Sequence, residues 1–96
     1  MDGTATTRRS VTLGIKNGLH LSPISRLVQA ASQCSSAIRI RFDDKVADAK
    51  SVYDLMLLGA THGAPLEIEA DGDDAEIAIA VVAAILDGTV AAPLSE

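Results

Sequence analysis

Two short segments of opposite charge fix most of the architecture. Ile38-Arg39-Ile40-Arg41-Phe42 and Leu66-Glu67-Ile68-Glu69-Ala70 both alternate apolar and charged side chains, with opposite signs at the same spacing. A period of two puts every apolar member of such a segment on one face, so each reads as a half-buried strand. Arginines facing glutamates on adjacent strands would stabilise the pair by a few tenths to about 1 kcal/mol. The fourth strand of the chain is therefore expected beside the second, although a strand and a helix separate them in sequence.

The remaining elements fall around this pair. Val11, Leu13 and Ile15 alternate with Thr12 and Gly14, which predicts a first strand that breaks at Asn17-Gly18. Ser22-Pro23 is expected to open a helix, with serine as N-cap and proline at the first helical position. Ile24, Leu27, Val28, Ala31 and Cys34 then form its apolar stripe. Asp43-Asp44-Lys45 reads as a turn, and Val46 to Ala49 as a short strand. Ser51, with Asp54 three residues on, starts a second helix in a capping-box-like spacing, and Gly59 stops it. Asp73, with Glu76 at the reciprocal position, is expected to cap a third helix that runs to Leu86 or Asp87 and ends at Gly88. The order is β-α-β-β-α-β-α, an α+β fold, in one domain over residues 8–88. Residues 1–7 and 89–96 are expected to be tails.

Composition narrows the function. Of 96 residues, 48% are hydrophobic, but Phe42 and Tyr53 are the only aromatic ones, so the core must be aliphatic. The net charge is −5, yet Arg8, Arg9, Lys16, Arg26, Arg39 and Arg41 all precede residue 43, with only Asp2 against them. An acidic chain without aromatic stacking surfaces is a poor nucleic-acid binder. No apolar run is long enough to cross a bilayer, so membrane insertion is not expected. Cys34 is the only cysteine, and no metal-spaced Cys/His cluster exists; neither a metal nor a cofactor is expected. A lone thiol and an N-terminal segment without an apolar signal core fit a cytoplasmic location.

His20 and Ser51 carry the candidate chemistry. His20 directly precedes a predicted helix start, where unpaired backbone N–H groups and the positive end of the dipole make an anion site. An imidazole there can offer a ring nitrogen as nucleophile, and the amides of Leu21 and Ser22 could hold a phosphoryl group placed on it. Ser51 reads first as an N-cap and second as a phosphoacceptor at a helix N-terminus. His62 sits between Thr61 and Gly63 in a loop and reads as a solvated residue.

Asn17-Gly18-Leu19-His20-x-x-Pro23, Ala49-Lys50-Ser51-Val52, Leu57-Leu58-Gly59 before His62-Gly63, and Ile68 to Asp74 occur in an order that resembles the HPr family. These are the histidine-containing phosphocarriers of the phosphoenolpyruvate-dependent sugar phosphotransferase system, and the likeness spans residues 8–88. The resemblance implies an open-faced β-sandwich, four antiparallel strands with three helices on one face, the last strand lying between the first and second. It implies that His20 takes phosphate on Nδ1 from Enzyme I and passes it to a IIA component. It implies a regulatory Ser51 addressed by a serine kinase, and partner docking through Leu21, Ser25, Val52, Tyr53 and Met56. Such a chain is a monomeric carrier rather than a free-standing enzyme.

One position departs from the family pattern. Where the family usually has an arginine two residues after the histidine, this chain has Ser22. Arg26, one helical turn later on the same face, is the candidate substitute. Two other functions fit the same resemblance. One is a regulatory module controlled at Ser51 with little or no transfer through His20. The other is a subunit serving a phosphoenolpyruvate-linked kinase, such as a dihydroxyacetone kinase system.

Overall fold

A computed structural model describes residues 6–89; the expected C-terminal tail beyond Thr89 and residues 1–5 lie outside the described residues. The elements are β1 (Thr7–Thr12), α1 (Leu21–Ser32), β2 (Ala37–Phe42), β3 (Lys45–Asp48), α2 (Val52–Leu58), β4 (Pro65–Asp71) and α3 (Ala75–Leu86). The four strands form one antiparallel sheet in the order β1-β4-β2-β3.

The charge match between β2 and β4 is realised in register. Arg39 lies opposite Glu69, and Arg41 opposite Glu67. β1 adds a third cation, because Arg8 faces Glu69 from the other side. Glu69 is only 7% exposed, and its carboxylate oxygens lie near Arg39 at 3.2 Å, Arg8 at 3.3 Å and Arg41 at 3.7 Å. A nearly buried carboxylate without such partners would be strongly destabilising. Asp71 ends the row: it accepts from the Thr6 hydroxyl at 2.6 Å and from the Arg39 guanidinium at 2.7 Å. Those two bonds, in that order of weight, hold its carboxyl below the ordinary range.

The opposite face of the sheet is apolar and carries the helices. Ile38, Ile40, Leu66, Ile68 and Ala70 meet Ile24, Leu27, Leu55, Leu58, Ile79, Val82 and Leu86 in one aliphatic core. α3 lies over β1, β4 and β2, α2 lies against β3, and α1 packs between α2 and α3. No described helix is long and apolar enough to cross a membrane.

Several element starts differ from expectation; β3 and β4 each begin one residue early, at Lys45 and Pro65, and three other differences bear on the site or the packing. β1 begins at Thr7 and pairs as far as Thr12, so Leu13 and Ile15 continue beyond the strand, although both still pack on the core. Its limits are set by the length of β4, which no local pattern reveals. α1 begins earlier than expected, with His20 rather than Ser22 as N-cap and Pro23 in the third helical position. Any first-turn position suits proline, since none of those N–H groups has an intrahelical acceptor. α3 begins later, with Asp74 rather than Asp73 as N-cap. The Asp74 carboxylate does not cap its own helix. It accepts from the amides of Ser35 and Ser36, at 2.9 and 3.0 Å, and from the Ser36 hydroxyl, fastening α3 to the entry of β2. The Ser36 hydroxyl, then the Ser35 amide, lower its pKa to about 2.

Candidate functional site

The segment before His20 is shaped by one reverse turn. The Gly18 amide donates to the Ile15 carbonyl at 2.9 Å, and Asn17 and Gly18 both adopt positive φ, 73° and 76°. Asparagine and glycine tolerate that region where other residues are strained. Gly18 is also pressed against the loop after α2, where a β-carbon would meet the Ala60 carbonyl oxygen at 2.9 Å. The Leu19 amide donates to that same oxygen at 3.2 Å. The approach to His20 is thus clamped to the far end of α2.

At the start of α1 the hydrogen-bond accounting leaves a gap. The Ile24 amide donates to the His20 carbonyl at 3.0 Å, closing the first helical turn. Pro23 has no N–H to offer. The amides of Leu21 and Ser22 have no acceptor among the described residues. The His20 side chain makes no capping bond, and no acid occupies the first turn. His20 itself is exposed. With Leu21, Ser22, Ser25, Arg26 and Gln29 it lines one open depression on α1. Arg26 is half-buried there and has no carboxylate partner among the described residues. The depression therefore holds an imidazole, two bare amides, two serine hydroxyls and one guanidinium, and no carboxylate. Such a set can receive an anion and can hold a phosphoryl group beside a nitrogen nucleophile.

A family model described as the phosphorylation site of the HPr component of the phosphotransferase system matches residues 7–87. This chain belongs to the HPr family. Phosphocarrier protein HPr of Haemophilus influenzae is 36% identical over 78 residues, covering 81% of this chain and 92% of that one. Among solved structures, a phosphocarrier protein HPr from Bacillus anthracis superimposes with a TM-score of 0.83 at 34% identity, covering 85% of this chain and 98% of that one. The Bacillus subtilis catabolite repression protein Crh matches with a TM-score of 0.72 at 31% identity, over 83% and 92% of the two chains. The open sheet with three helices is the HPr fold, and membership supports a phosphocarrier role in the phosphotransferase system.

Within this HPr-family chain, most of the remaining candidate residues lie on a second element, α2. Ser51 caps α2: its hydroxyl accepts from the Asp54 amide at 3.1 Å. The reciprocal half of a capping box is missing. Asp54 turns its carboxylate to the Asp48 amide at 3.2 Å instead of to Ser51. Gly59 ends the helix in the left-handed region, φ 70°, where a side chain would be strained. Leu21 on α1 is 60% exposed and Tyr53 on α2 is 71% exposed; Val52 and Met56 are exposed as well. Ser25 is exposed on α1 and His62 in its loop. The depression on α1 thus gathers His20, Leu21, Ser22, Ser25 and Arg26, while Ser51, Val52, Tyr53 and Met56 stand on the neighbouring helix.

Sequence reasoning missed Leu57, which is exposed like Met56. The signal was present. A seven-residue helix buries one face, and Leu55 and Leu58, three apart, fill it. The two apolar residues between them have to point outward. Similarly, Ile77 and Val81 of α3 are exposed although the helix is apolar almost throughout.

Proposed function

We propose that this chain carries phosphate on His20, accepting it from the phosphohistidine of Enzyme I and delivering it to a IIA component. The observation that supports this most is the pair of amides at Leu21 and Ser22, unpartnered among the described residues and directly following an exposed His20 with no acid in the turn. In the transfer, a lone pair on Nδ1 attacks phosphorus, the new N–P bond forms, and the bond to the donor nitrogen breaks. No cofactor is needed. The three peripheral oxygens carry the charge that develops, and donors already aimed at that position stabilise it without reorganising. Leu21 and Ser22 supply two such donors from the backbone. Arg26 supplies the guanidinium, in place of an arginine at Ser22.

Leu21, Ser25, Val52, Tyr53 and Met56 form the docking face in this reading. Exposed large apolar side chains beside a reaction site suit brief, repeated contacts with several partners. A monomeric cytoplasmic protein meets that need. Incubation with phosphoenolpyruvate and Enzyme I tests the proposal: wild type gains acid-labile phosphate and His20→Ala does not. Equal labelling of His20→Ala would refute it.

A regulatory module controlled at Ser51 is the second reading, and Ser22 favours it, because the family's usual arginine is missing there. It predicts acid-stable phosphate, formed only with ATP and a serine kinase and lost in Ser51→Ala. In that case Enzyme I leaves His20 unlabelled.

A further inference from the structure

We infer that the end of α3 sets where the His20 imidazole stands, and that Gly14 and Gly88 are the positioning residues that allow it. This assignment rests on the proposal that His20 accepts phosphate, and the test below separates the two.

After β1 ends at Thr12, no strand or helix holds the chain until α1 begins at Leu21. The imidazole arrives on that connecting segment, whereas the amides of Leu21 and Ser22 belong to α1. Their relative placement therefore depends on what grips the segment. The loop after α2 grips it from one side. Leu13 donates to the Ala64 carbonyl and accepts from the Gly63 amide, both at 2.8 Å, and the Leu19 amide reaches the Ala60 carbonyl at 3.2 Å. From the other side comes α3. A helix leaves its last carbonyls without intrahelical donors, and the Gly14 amide donates to one of them, that of Leu86, at 2.9 Å.

This joint is closer than side chains permit. A β-carbon on Gly14 would overlap the Asp87 carbonyl oxygen, and one on Gly88 would meet the Gly14 carbonyl oxygen at 2.9 Å. Gly88 also has φ 80°, and its amide turns back to the Ile85 carbonyl at 3.3 Å. The glycine that ends α3 in the left-handed region is thus the one that lets α3 press on Gly14. Leu13 and Leu86, beside the joint, are fully buried. Backbone lies against backbone, so crowding cannot be relieved by turning a side chain.

A displacement of about 1 Å between a nucleophile and its supporting groups can cost roughly 100-fold in rate. A β-carbon in the joint drives the segment away from α3, and the Asn17-Gly18 turn carries that shift to His20. Leu21 and Ser22 stay with α1, which is held by its own buried face against α2 and α3. Leu21, Val52, Tyr53 and Met56 are exposed on α1 and α2 and keep their places. Transfer within the complex should therefore slow while docking is kept.

Gly88→Asn is the cleaner variant, because asparagine tolerates positive φ yet adds the β-carbon. Gly14→Ala crowds the same joint from the other side. Single-turnover transfer from phosphorylated Enzyme I is measured at a temperature where each variant is folded. In both, the saturating rate should fall by about fivefold or more, with the half-saturating concentration within roughly twofold of wild type. Asp74→Asn loosens the opposite end of α3 and should leave both values unchanged. In the unphosphorylated protein, the amide resonances of Leu19 to Ser22 should move in Gly88→Asn and stay in place in Asp74→Asn. If Gly14→Ala does not fold, Gly88→Asn decides alone. A wild-type saturating rate in Gly88→Asn overturns the inference, as does an equal loss of rate in Asp74→Asn, since the glycines would then serve stability only. Resonances of Leu19 to Ser22 that do not move in Gly88→Asn overturn it whatever Enzyme I does, whereas a wild-type protein left unlabelled at His20 refutes the phosphocarrier reading itself.

Discussion

The starts of α1 and α2 solve the same problem in opposite ways. Each helix leaves its first amides without intrahelical partners. In α2 the Ser51 hydroxyl takes one of them, an acid sits in the first turn, and that acid is itself tied to Asp48. In α1 the residue before the helix is an exposed histidine that caps nothing, the first turn has no acid, and two amides face outward. A helix start that is filled holds the fold. One that is left open, with Arg26 in the same depression, is ready for an anion from outside. The contrast lies in a few side chains, since the backbone at both starts is extended and then helical.

Changes at the open start should be the most damaging. His20→Ala removes the proposed acceptor and should abolish acid-labile labelling by phosphoenolpyruvate and Enzyme I. Ser22→Asp makes α1 resemble α2 by placing a carboxylate beside the bare amides. Transfer should fall by roughly tenfold or more, while the melting temperature holds or rises slightly, because an acid in a first turn suits the dipole. Opposite signs for activity and stability would separate a repelled phosphate from a damaged fold. Arg26→Ala should slow transfer several-fold, and Ser22→Arg should speed it, in single-turnover measurements.

Emptying the filled start is a smaller effect of a different kind. Ser51→Ala should cost about 1 kcal/mol, read as a fall of roughly 4–8 °C in melting temperature for a domain of this size.

The third helix start sharpens the contrast further. Asp74 is the N-cap of α3, yet its carboxylate serves Ser35 and Ser36. Its pKa in the folded protein is about 2, below the ordinary carboxylate value of 3.8. The unfolded chain therefore binds this proton first as pH falls, so the contribution of Asp74 to stability is complete above about pH 4 and is lost as pH drops toward 2. The melting temperature of Asp74→Asn should lie below wild type at pH 7 and converge on it between pH 4 and 2. A constant gap across that window would assign the stabilisation elsewhere.

What the sequence made legible follows the same division. Arg39, Arg41, Glu67 and Glu69 declared the β2–β4 register because the signal is a matched pair, readable without knowing the path between the strands. Ser51 and Gly59 marked both ends of α2 because each residue has a local backbone reason to be there. The starts of α1 and α3 were placed two residues late and one residue early. Pro23 is compatible with several first-turn positions, and Asp73 and Asp74 are chemically identical candidates. What selects Asp74 is Ser36, far away in sequence. More of the candidate site was legible: the motif around His20 and the amides of Leu21 and Ser22 follow from a helix start at that point, and the structure adds that neither amide has an acceptor among the described residues.

Amide NMR shifts of Leu21 and Ser22, followed while His20 is phosphorylated by Enzyme I, test the central claim most directly. Both resonances should move strongly downfield as the phosphoryl group arrives and return on acid hydrolysis. Phosphorylation of His20 that leaves those two amides unmoved, or phosphate found on His62 instead, would contradict the account.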